Sequence, residues 1–86
     1  MHLPAILDLG AATPLWTNLV ATRGAALTLD ASRVERLGAP CLQVLMAAAV
    51  SWRADGKGFT IADPSPAFLN SLRLMGAEHL LAAEAS

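Results

Sequence analysis

The chain has 86 residues, 55% of them hydrophobic, and a net charge of −1. That length supports one core and one domain, expected over residues 1–86. The six Lys and Arg residues (Arg23, Arg33, Arg36, Arg53, Lys57, Arg73) are scattered, which argues against a nucleic-acid surface.

Residues 1–9 alternate weakly around Pro4 and predict a short edge strand, because proline donates nothing to a ladder. Gly10-Ala11-Ala12 reads as a loop. Thr13-Pro14 reads as an N-cap and first helical turn. Leu15, Trp16, Leu19, Val20 and Thr22 continue at helical spacing until Gly24. Ala26 to Asp30 predicts a strand, and Ala31 to Ala39 a loop.

Pro40 opens a second helix. Cys41, Val44, Leu45, Ala48 and Trp52 form its apolar stripe, and Leu42, Met46 and Val50 widen it. A helix apolar nearly all round until Arg53 is either deeply buried or lends a second face to a partner. Asp55 to Gly58 predicts a turn, and Phe59 to Ala62 a strand. Ser65 and Pro66 then cap and begin a third helix with a buried stripe of Phe68, Leu72 and Met75, ended by Gly76. Leu80-Leu81 is a last apolar pair. Strands alternating with helices in this order predict parallel pairing with right-handed crossovers. The expected fold class is α/β, with about four strands in a small, mostly parallel sheet and helices packed against it.

Chemistry is sparse. His2 and His79 lie at opposite ends, and a single cysteine, Cys41, excludes an internal disulfide and a zinc pattern. No metal or cofactor is expected. Gly56 and Gly58 precede a strand, the wrong order for a phosphate loop. Asp8, Asp30 and Asp63 fall near strand ends, where ligand sites of parallel sheets collect, but the simpler reading makes each a local cap. Cys41 reads as a small buried hydrophobe rather than an activated thiolate. Trp16 and Trp52 read as core residues. No catalytic set emerges, so the chain is expected not to be an enzyme. It shows no secretory signal and no apolar run long enough to insert into a membrane, which with the lone cysteine implies the cytoplasm.

Several segments together resemble STAS domains (sulfate transporter and anti-sigma-factor antagonist domains). Leu27 to Val34 is similar to the family's strand, Asp, apolar, Ser, Gly, Val run, and the apolar helix from Pro40 follows at the right distance. Phe59 to Pro66 resembles its strand ending in Asn-Pro-Ser-Pro. Leu72 to Gly76, Leu80-Leu81, Leu7-Asp8 and Thr13 match further family positions. The resemblance spans roughly residues 3–82. The short, serine-less form is similar to STAS proteins of bacterial chemotaxis clusters, and it implies a bacterial signalling module that binds a histidine kinase or anti-sigma-type kinase, or an anti-sigma-factor antagonist, or a STAS subunit supporting a lipid-transport ATPase.

The resemblance places partner contacts at Arg36, Leu37, Gly38, Ala39, Pro40, Cys41 and Gln43. Where the family carries Asp-Ser-Ser-Gly with a phosphorylated serine, this chain has Gly38-Ala39-Pro40-Cys41. No acceptor oxygen stands at Ala39 or Pro40, so the expected module binds its kinase without being phosphorylated there. Relative to the family, the chain is expected to begin after the usual first strand and to lack most of a C-terminal strand and helix. The edge thus exposed invites association, including a homodimer.

Overall fold

A computed structural model describes residues 1–85, with side chains described through Leu81. The strands are β1 (Ile6–Leu7), β2 (Leu27–Asp30), β3 (Arg36–Leu37) and β4 (Phe59–Ala62). The α-helices are α1 (Ala12–Ala21), α2 (Ala39–Ala54) and α3 (Pro66–Leu74), with 3-10 segments at Leu9–Ala11 and Glu78–Ala85. The α/β class, the three helices and the strand positions at 27–30 and 59–62 agree with the sequence. Every described pairing is parallel.

In place of one expected sheet of about four strands, β1–β3 and β2–β4 form two parallel two-stranded ladders, which the isolated bridge between His2 and Asp30 joins into a layer of three backbone paths. The N-terminal segment pairs with β2 at His2 and with β3 at Ile6 and Leu7, and β2 pairs with β4 on its other side. The register slips between the first two contacts. Residue 2 faces residue 30, whereas residue 6 faces residue 36. Two extra residues therefore bulge out of the central path between β2 and β3. Hydrogen bonds use the odd residues of the N-terminal segment: Leu3 N–H donates to Asp30, and the carbonyls of Ala5 and Leu7 accept from Arg36 and Gly38. Backbone groups alternate edges along a strand, so Pro4 lies on the open edge, where its missing N–H costs no ladder bond.

Consecutive right-handed crossovers that advance in one direction place their helices on one face of the sheet. Leu3, Leu7, Leu27, Leu29, Leu37, Phe59 and Ile61 point into that face and are buried. Their neighbours Ile6, Thr28 and Arg36 are exposed. The core is completed by Leu15 and Leu19 from α1, by Leu45 and Trp52 from α2, and by Phe68 and Leu72 from α3. The Trp52 indole is tilted against the Phe59 ring at 5.8 Å between centroids and donates its N–H to the Ala25 carbonyl.

Four local expectations are corrected. Thr13 does not cap α1. The Asp8 carboxylate accepts from Ala11 N–H and caps a 3-10 turn that runs directly into the helix. The loop expected over Ala31–Ala39 contains β3, too short to show alternation. Met75 sits at the C-cap of α3 and is exposed, because the helix ends before its stripe reaches that residue. Trp16 is 41% exposed on the outer side of α1, unlike Trp52.

Candidate functional site

The segment singled out by the sequence lies where β3 turns into α2. Gly38 is the N-cap of α2, in extended conformation, and no side chain caps the helix there. Its N–H donates to the Leu7 carbonyl, and its own carbonyl accepts from Leu42. Pro40 occupies the first turn, where its ring fixes the backbone and its missing N–H goes unused. The start of α2 is thus anchored to the end of β1 and stiffened from within.

The structure divides the seven candidate residues. Arg36, Ala39 and Gln43 are exposed, and Gly38 and Pro40 are half-buried. Leu37 is 6% exposed and Cys41 is 0% exposed. Neither of these two presents a surface to a partner. Leu37 fills the core under β3, and Cys41 holds the neighbouring turn, its thiol donating to the Asp8 carbonyl at 3.1 Å. Burial pushes the Cys41 thiol up from its ordinary pKa, and the nearby Asp8 carboxylate adds to the shift. A protonated, enclosed thiol has no nucleophilic role.

Other exposed groups share this corner. The 3-10 turn Leu9–Ala11 packs against α2, and Leu9 stands 76% exposed beside its first turn. Along α2, Ala39, Gln43, Ala47 and Val50 are exposed at helical spacing, with Val44 and Met46 half-buried beside them. This is the second apolar face that the composition of α2 suggested. The sequence signal for Ala47 and Val50 was a helix apolar nearly all round until Arg53. Leu9 carried no periodic signal, since it lies in a single turn.

The three carboxylates at strand ends do not converge on a ligand. Asp8 is spent on Ala11. Asp30 accepts from the Ser32 hydroxyl and, at 2.8 Å, from Ser32 N–H, with His2 Nδ1 at 3.6 Å. The Ser32 hydroxyl bond is the main reason its pKa is lowered, followed by the Ser32 backbone bond. Asp63 is exposed at φ +49°, the left-handed region that Asp and Asn tolerate best among side-chain-bearing residues. Among the described residues no group of His, Cys, Asp and Glu is placed to hold a metal ion, and no helix is long and apolar enough to cross a membrane.

The family described as "Mlab, STAS domain" matches residues 1–82. The chain belongs to the STAS family. As such it is an anti-sigma-factor-antagonist-like or, more generally, a signalling module. No curated protein and no solved structure matches it closely enough to be compared.

Proposed function

We propose that this STAS domain acts by binding, not catalysis, and that its partner is a histidine kinase or kinase-like regulator in bacterial signal transduction, met in the cytoplasm. The single supporting observation is the rigid, hydroxyl-free start of α2. Gly38, Ala39 and Pro40 offer small groups that let a partner backbone approach closely, on a helix end fixed by the Gly38–Leu7 bond. Arg36 and Gln43 form its polar rim, with Leu9 adjacent. No phosphoacceptor stands at Ala39 or Pro40, so the contact is not switched at that point.

Ala39→Glu tests this face. The residue is exposed within the first turn of a helix, where an acidic side chain favours the helix dipole, so the fold is retained. Co-purification with a histidine kinase encoded beside this chain should be lost. Unchanged binding by the folded variant would show that the face is wrongly placed.

The missing acceptor also favours a second reading, a standing subunit that supports a lipid-transport ATPase. A permanent contact needs no phosphorylation switch. Co-purification with a transport ATPase in place of a kinase, abolished by the same substitution, would select it.

A further inference from the structure

At the far end of α2 from the helix start lies a hollow of about 140 Å³ between the helix and the 3-10 segment Glu78–Ala85. Met46, Ala49, Val50 and Leu80 line it with apolar surface. Ala49 and Leu80 are buried at its base, and Val50, 66% exposed, stands at its rim. The remaining lining residues are Arg53 and His79, both exposed. Among the described residues no carboxylate lines the hollow, and neither base is in an ion pair.

The position of Arg53 in the last turn of α2 suits the negative end of the helix dipole. That accounts for one base. It does not account for an apolar hollow beside it, or for a second base brought from another element to the same mouth. The volume fixes the scale of an occupant, since an apolar cavity of about 150 Å³ holds one benzene ring. The bases fix its charge.

We propose that this hollow binds a small carboxylic acid carrying a single aromatic ring. The ring lies on Met46, Ala49 and Leu80. The carboxylate faces the Arg53 guanidinium, whose planar fork matches its two oxygens, with the His79 ring beside it. The hollow is shallow and open, so affinity is on the order of 1 mM.

The test is an amide-resolved NMR titration of the full chain with 3-phenylpropanoate. Its neutral amide and acetate are titrated in parallel. Saturable shifts are expected at Ala49, Val50, Arg53, His79 and Leu80. The neutral amide should bind at least about fivefold more weakly, because it lacks the charge that the guanidinium recognises. Acetate should bind more weakly still. Arg53→Gln should bring acid and amide to equal affinity, and its dispersed spectrum verifies the fold. Equal binding of acid and amide to the unaltered chain, shifts centred on the open sheet face, or absence of saturation would each overturn the proposal. No partner protein enters this experiment, so its failure leaves the reading of the α2 start standing, and the converse also holds.

Discussion

The Ser65 hydroxyl donates to the carbonyl of Val34, 31 residues earlier, while accepting from the N–H of Phe68 at 3.0 Å. One oxygen thereby caps α3 and ties it to the bulge between β2 and β3. The Ala31 carbonyl, at the other end of that bulge, accepts from Ser65 N–H. Ser65 is the one buried polar residue among those described.

Ser65→Ala removes the cap acceptor and orphans the Val34 carbonyl in a buried setting. A lost N-cap and an unsatisfied buried group together cost about 1.5–5 kcal/mol. Urea unfolding should show a lower midpoint with an unchanged slope. A loss below roughly 0.5 kcal/mol would mean that water replaces both bonds.

Gly38→Ser should act in the opposite direction. A Cβ at Gly38 would lie 3.5 Å from the Leu7 carbonyl oxygen and 3.8 Å from Pro40 Cδ, ordinary contact distances, and its φ is −96°. Glycine is therefore not required by geometry. A serine there can cap α2, which has no side-chain cap, and should add a few tenths of a kcal/mol, about the difference between the two residues at this position. A lower unfolding midpoint would show that the β1–α2 junction has no room for a hydroxyl.

Cys41 predicts the alkaline limb of stability. Burial first, and the Asp8 charge second, raise the folded thiol pKa above its ordinary value. The unfolded thiol deprotonates near about pH 8.5. Above that point, and up to the folded pKa, the unfolded chain binds fewer protons than the folded one, so stability falls as pH rises. The slope from this one group is bounded by about 1.4 kcal/mol per pH unit. It should disappear in Cys41→Ala, which will itself be less stable near neutrality. An equal alkaline slope in both proteins would assign the limb to other groups.

Much of the architecture was legible because long-range order and local signals agreed. Gly24, Pro40, Ser65, Pro66 and Gly76 punctuate the helices as their chemistry dictates, and α2 and α3 carry clear stripes. The misreadings arose where tertiary contacts decided. Thr13 looked like a cap because Asp8 is far enough upstream to cap a different kind of turn, and that turn is continuous with α1. Arg36 and Leu37 form a strand only because the N-terminal segment pairs with them. Leu37 and Cys41 lie in the segment proposed for contact, yet both are buried. A family resemblance names a segment, whereas exposure belongs to each side chain. Asp63 is the reverse case. Its left-handed backbone explains why this chain has Asp where the family pattern has Asn, since both side chains suit that conformation.

The slipped register of the central path also bears on how the chain reaches its fold. His2 with Asp30, Ile6 with Arg36, and Leu27 with Phe59 are all separated by nearly the same stretch of chain. Closing a loop of about 30 residues costs roughly 3 kcal/mol for each, beyond a constant term. No pairing has a shorter route than another, and none can form from neighbours in sequence. The sheet therefore has no local hairpin from which to grow. Its assembly should be all-or-none, slower than that of a helical bundle of equal length, with the helices gathering the strands before the ladder closes.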